Sequence, residues 1–180
     1  MQITDSQRIP ASRKTVWTAL NDPAVLKQCI PGCQDLQMTS PTEMAATVVL
    51  RIGPVKATFG GKVTLSDLDP PNGYRITGEG SGGIAGFAKG GAVVRLEADG
   101  PDVTILHYEV DVQIGGRLAQ LGGRLIESTA KKLSGEFFAA FGDVVVPASE
   151  PATPAGETRQ GKRGWLGRLT GTGAGAPDAG

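Results

Sequence analysis

The segment from Gly115 to Val146, GGRLAQLGGRLIESTAKKLSGEFFAAFGDVVV, constrains the fold more than any other stretch of the chain. Leu118, Leu121, Leu125, Thr129, Leu133, Phe137 and Phe141 recur three or four residues apart, on or near one side of a helix. Gln120, Arg124, Glu127 and Lys131 recur with the same period on the other side. The spacing predicts a helix from about 117 to 144, roughly 40 Å long at ~1.5 Å per residue. What precedes it reads almost entirely as strands. A long amphipathic helix after a run of strands must bury its apolar stripe against their sheet, because neither element is stable alone.

Residues Gln2 to Ile9 alternate as a first strand that Pro10 ends. Ser12 then caps a short helix through Val16, Trp17 and Leu20, and Asp22-Pro23 starts a second around Val25 and Leu26. Pro31-Gly32-Cys33 closes it with a turn. From there the period is two. Met44, Ala46, Val48, Leu50 and Ile52 form one apolar row; Val55, Ala57, Phe59, Gly61, Val63 and Leu65 form the next, after the Gly53-Pro54 turn. Tyr74 and Ile76 follow the Pro70–Gly73 turn, Ala92, Val94 and Leu96 come next, and Leu106 to Ile114 supply the last row. About six strands joined by short turns make an antiparallel meander with one wet and one buried face. The predicted class is α+β: a curved antiparallel sheet gripping a long C-terminal helix, with an apolar space between them that suits a lipid-like ligand.

Eighteen basic and eighteen acidic side chains balance, so no overall field steers the chain toward nucleic acid. The 27 glycines show no collagen-like period. Gly78, Gly80, Gly82, Gly83 and Gly86 lie between strands and not between a strand and a helix, so they do not make a phosphate loop. Glycine at alternate strand positions instead lets the strand bend and leaves side-chain room empty. Cys29 and Cys33 lack redox or zinc spacing and read as free thiols of a reducing cytosol. His107, the only histidine, falls with Ile105, Glu109 and Asp111 on the wet face, so no catalytic or metal constellation assembles around it. Gly122-Gly123 reads either as a close-packing site against the sheet or Trp17, or as a soft point near the cavity mouth.

Residues 147–180 change character: a Pro-, Ala-, Thr- and Gly-rich stretch reads as a disordered linker. Within it Trp165, Leu166 and Leu169 are ringed by Lys162, Arg163 and Arg168, a composition that suits weak, reversible contact with an anionic membrane. No apolar run is long enough to span a bilayer.

Residues 1–145 resemble the CoxG family, named for carbon monoxide dehydrogenase, within the START-like (SRPBCC) superfamily. The resemblance is carried by Val16-Trp17 with Leu20 and Asp22-Pro23, by Ile30-Pro31-Gly32-Cys33, and by Ile52-Gly53-Pro54-Val55. Gly83-Ile84-Ala85-Gly86-Phe87 and the stretch from Gly115-Gly116-Arg117-Leu118 to Gly122-Gly123 complete it. It implies a helix-grip fold with a hydrophobic cavity, and an accessory role beside a molybdenum hydroxylase of the carbon monoxide dehydrogenase type. It also implies carriage of a membrane quinone, or tethering of the enzyme to the cytoplasmic membrane.

The expectation is therefore a non-enzymatic cytoplasmic protein, peripheral to the inner membrane, without catalytic or metal-binding residues. Met44, Val48, Phe59, Tyr74, Phe87, Leu118, Leu121 and Leu125 would line a cavity holding menaquinone, ubiquinone or another lipid. Tyr74 would offer its hydroxyl to a quinone carbonyl. Lys162, Arg163, Trp165, Leu166, Arg168 and Leu169 would touch the membrane. The alternative is an assembly or recruitment factor for the dehydrogenase with no cavity ligand. An enzyme is disfavoured, since no inward acid/base pair is visible.

Overall fold

In the computed structural model of the protein, residues 1–146 are described. The order is β1 (Gln2–Ile9), α1 (Arg13–Leu20), α2 (Pro23–Cys29), β2 (Cys33–Ser40), β3 (Glu43–Ile52) and β4 (Val55–Asp69). Then come β5 (Gly73–Ser81), β6 (Phe87–Ala98), β7 (Thr104–Gly115) and α3 (Gly123–Val145). Single 3₁₀ segments, Gly83–Ala85 and Gly116–Leu121, follow β5 and β7. The strands form one antiparallel sheet in the order β1-β7-β6-β5-β4-β3-β2, so neighbours in sequence pair and β1 alone crosses to β7. The expected meander and long C-terminal helix are both present.

Local chemistry starts the two short helices where the sequence places them. The Ser12 hydroxyl accepts from the Thr15 amide at 3.2 Å, and the Asp22 carboxylate from the Ala24 amide at 2.9 Å with Pro23 in the first turn. Thr104, fully buried, donates its hydroxyl to the Ala11 carbonyl at 2.8 Å and fixes the entry to α1 on β7.

The long periodic stretch is not one helix from residue 117. Gly116–Leu121 is 3₁₀, Gly122 takes φ 95°, and α3 starts only at Gly123. That left-handed backbone suits glycine and breaks the hydrogen-bond ladder between the two pieces. Leu118 and Leu121 therefore belong to a lip ahead of α3, not to its stripe. Nor does Gly122-Gly123 pack closely: a Cβ on either would meet nothing within 4 Å. At 23 residues α3 is roughly 35 Å long.

Two ring contacts show which sheet face the helices cover. Tyr108 of β7 stacks on Phe138 of α3, centroids 5.4 Å apart, and Tyr74 of β5 meets Trp17 of α1 edge-on, also at 5.4 Å. Side chains alternate along a strand, so residues in phase with Tyr74 and Tyr108 face the helices. The registers place Met44, Val63, Gly78, Gly90 and Val112 in one cross-sheet row of that face. Ala46, Gly61, Gly80, Ala88 and Ile114 form a second row, nearer the β3–β4 turn.

A hollow between the sheet and the first half of α3

The helix side of the sheet divides into a closed and an open half. In the closed half Leu65, Tyr74, Val94, Leu96, Leu106 and Tyr108 are buried, together with Val16, Leu20 and Leu26 of the short helices and Phe141 and Val145 of α3. In the open half the side chains of Ala46, Val48, Leu50, Ala57, Phe59, Val112 and Ile114 are only half-buried. So are Leu125, Ile126, Thr129, Ala130 and Leu133, on the first half of α3. Solvent-sized space reaches apolar surface that a filled core would close.

The glycine rows explain why. Gly61, Gly78, Gly80 and Gly90 put no side chain between sheet and helix, so the sheet contributes backbone where other strands contribute Val or Leu. At Gly90 the glycine is also required by sheet curvature, because a Cβ there would collide with the carbonyl oxygen of Asp111 on β7. Strands that approach this closely coil the sheet, and the side-chain-free strip faces the concavity.

One end of the hollow opens into a groove of about 900 Å³ lined by Met1, Phe87, Val112, Ile114, Ala119, Gly123 and Ile126, with Lys89, Arg124 and Glu127 among its polar walls. A larger trough of about 1020 Å³ is lined mainly by Lys62, Arg75, Glu79, Lys89, Glu109, Asp111 and other polar residues out of phase with Tyr74. It belongs to the wet face, so the smaller groove is the one continuous with the apolar interior.

The residues singled out from sequence fall into three groups. Met44, Val48 and Phe59 share the helix face, with the Phe59 ring against Gly82. Leu125 lies on α3 against Gly53, and Leu118 is buried in the lip with Leu121 half-buried beside it. Phe87 differs. It is out of phase with Val94, its ring covers Gly115, and it is 45 % exposed at the groove mouth instead of inside. Lys162, Arg163, Trp165, Leu166, Arg168 and Leu169 lie outside the described residues.

Tyr74 sits at the closed end, 6 % exposed, and its hydroxyl makes no hydrogen bond among the described residues. Burial pushes its phenol up to about 12. Burial also raises the Tyr108 phenol, with the Asp5 carboxylate a second cause, while hydrogen bonds with Ser134 and Gln7 pull it back down. This second inward polar cluster, Asp5, Gln7, Tyr108 and Ser134, was not legible in the sequence, because only the β1–β7 register brings it together.

His107 is on the wet face, 2.9 Å from a Glu97 carboxylate oxygen. Cys29 is buried, which raises its thiol, and the Cys33 thiol points to the Asp35 carbonyl at 3.4 Å. Among the described residues no cluster of His, Cys, Asp and Glu has the makings of a metal site. None of the described helices is long and apolar enough to cross a membrane.

The model of the carbon monoxide dehydrogenase CoxG family matches residues 6–145. The chain belongs to the CoxG family. Among solved structures, a conserved protein from Geobacillus kaustophilus superposes on this CoxG chain with a TM-score of 0.78 at 27 % identity, covering 82 % of this chain and 97 % of that one. A START superfamily protein from Mycobacterium smegmatis does so at 0.63 and 16 % identity, covering 82 % and 98 %. The Zhui aromatase/cyclase from a Streptomyces species follows at 0.62 and 12 % identity, covering 86 % and 99 %. The last two likenesses show that CoxG shares the START-like helix-grip fold, and nothing more. No curated protein matches the chain.

Proposed function

We propose that this CoxG protein is a non-catalytic accessory protein of a molybdenum hydroxylase of the carbon monoxide dehydrogenase type. It carries an isoprenoid quinone or a similar lipid and links the enzyme to the cytoplasmic membrane. One observation supports carriage above all: apolar side chains of the sheet and of α3 stay half-exposed to each other across glycine rows that contribute no side chain. A protein with nothing to hold would gain by filling that space, since buried apolar surface contributes ~25 cal/mol per Å².

The geometry suits a long, thin ligand with one polar head. Tyr74 and Gly80 lie on the same face of β5, six residues and roughly 20 Å apart along the strand. A quinone head near Tyr74 would accept the hydrogen bond that its buried hydroxyl lacks, and an isoprenoid tail would run along the glycine rows toward the groove between Phe87 and Ile126. Met44, Val48, Phe59 and Leu125 would flank the tail, with Leu118 and Leu121 in the lip. In this reading residues Lys162 to Leu169 add a membrane contact.

Mass spectrometry of organic extracts from the full chain, purified without detergent, tests it. A stoichiometric quinone or lipid identifies the cargo. A protein that is reproducibly empty, and stays empty when incubated with quinone-loaded vesicles, removes carriage and leaves recruitment of the dehydrogenase as the function.

A further inference from the structure

The antiparallel order gathers the chain's turns at two ends, and the ends differ in charge. The β3–β4 turn, the β5–β6 loop, the end of β7 and the start of α3 share the end where the groove opens. Leu125 lies against Gly53, a Cβ on Gly86 would collide with the Gly115 carbonyl, and Phe87 and Arg124 line the same groove. Arg51, Lys56, Lys89, Arg117 and Arg124 stand exposed there without an ion pair among the described residues. The acids of this rim are Glu79, which lies between Lys62 and Lys89 in register, and Glu127 in the groove wall. The opposite end carries Asp67, Asp69, Glu97, Asp99 and Asp102, of which Arg8 pairs Asp99 and Arg75 pairs Asp67. A net charge of zero hides this division.

The cationic end also carries the largest exposed apolar side chain of the described residues. Ile84, in the 3₁₀ turn of the β5–β6 loop, is 83 % exposed, and Phe87 beside it is 45 % exposed. Folding gains nothing from an isoleucine in water at a loop tip, and polar residues serve such tips as well. Apolar tips ringed by basic side chains fit one kind of partner: the tip enters the acyl boundary while the cations meet anionic headgroups. A protein partner would call for a broader apolar patch than one isoleucine and part of one phenylalanine.

We propose that the groove end of the folded domain docks on an anionic lipid bilayer, with Ile84 and Phe87 inserted and Arg117, Arg124 and Lys89 on the headgroups. Docked this way, the groove faces the bilayer, so a lipid passing between membrane and hollow crosses little water. The docking surface shares only the position of the mouth with the carrier reading. It stands if the interior proves empty.

The test is sedimentation of the full chain with vesicles of phosphatidylcholine, with and without phosphatidylglycerol at one molecule in three. The wild type should bind the anionic vesicles. Ile84→Asp should weaken that binding by about tenfold or more, and Arg117→Glu and Arg124→Glu should each weaken it by about fivefold. Ile84 touches too little for its change to unfold the chain, and circular dichroism checks this. As a direct probe, the emission of an Ile84→Trp variant should be quenched by brominated lipid beyond the wild-type background of Trp17 and Trp165. Wild-type affinity in Ile84→Asp, with no extra quenching in Ile84→Trp, overturns the proposal and assigns any binding to residues beyond 146. No binding of the wild type to either vesicle also overturns it, as does loss of a dehydrogenase contact in Ile84→Asp with vesicle binding intact.

Discussion

Leu125, in the first turn of α3, rests on Gly53 in the β3–β4 turn so closely that a Cβ on Gly53 would come within 2.7 Å of the leucine Cδ2. The contact sets where α3 begins relative to the sheet, and so sets one wall of the hollow. Gly53 also holds φ 59°, where a side chain is strained. Gly53→Ala should cost about 1–3 kcal/mol from the two effects together. Urea unfolding read by circular dichroism measures it. An unchanged midpoint would mean that the start of α3 is free to move.

Tyr74 ties stability to alkaline pH. Its phenol titrates near 10 in an unfolded chain and at about 12 in the folded one. Between those values the unfolded chain sheds the proton and the folded chain keeps it, so stability is full below pH 10 and falls as pH rises through 12. The wild type should lose about 2–3 kcal/mol relative to Tyr74→Phe across that window. Parallel unfolding curves of the two proteins from neutral pH upward isolate this group from the lysines and the other tyrosine. If quinone is the cargo, Tyr74→Phe also lowers its retention while leaving neutral-pH stability unchanged or slightly raised.

Two glycines of the helix-side face should respond in opposite ways. At Gly80 a Cβ meets only Gly60 and Gly61 backbone, 3.5 Å and 3.8 Å away, which is ordinary contact. Gly80→Leu should therefore fold to within about 1 kcal/mol of the wild type and fill the hollow, reducing the lipid recovered from the purified chain. At Gly90 the Asp111 carbonyl blocks any side chain, and Gly90→Ala should cost about 2–3 kcal/mol. Full lipid recovery from a folded Gly80→Leu protein would place the ligand elsewhere.

Gly135 lies exposed in the middle of α3, where a Cβ meets nothing within 4 Å. Gly135→Ala should stabilise the protein by about 1 kcal/mol through helix propensity alone. Thermal unfolding checks it, and a loss of stability would mean that this face of α3 is covered.

Much of the fold was legible because its signals are local. Ser12 and Asp22 mark the helix starts that the structure contains, and the two-residue alternation of β3, β4 and β7 places their apolar rows on the helix side. The overrun of α3 has a physical origin. Leucines at 118 and 121 fit a 3₁₀ turn as well as an α-helix, so their period does not reveal that the backbone reverses sign at Gly122. β2 lacks apolar alternation because it is an edge strand with register shifts, and its sequence CQDLQMTS carries little periodic signal. Phe87 reads as inward from its apolarity, yet phase is counted from Val94, seven residues on, and seven is odd. The open half of the interior was foreshadowed by the glycine spacing, but the division into closed and open halves depends on which end of α3 carries Phe141 and Val145, a tertiary fact.

The strand order has a consequence for synthesis. Within this domain β1 is made before the other strands, yet its only partner in the sheet is β7, with Gln2 against Asp111 and Ile9 against Thr104. While the ribosome builds the strands between one end of the meander and the other, β1 has nothing to pair with. Met1, which exchanges backbone hydrogen bonds with Val112 and forms part of the groove wall, is translated ahead of the sheet and placed only after β7 exists. The doorway of the hollow is thus finished only when nearly the whole domain has left the ribosome, so cargo that needs that doorway is loaded onto a completed domain.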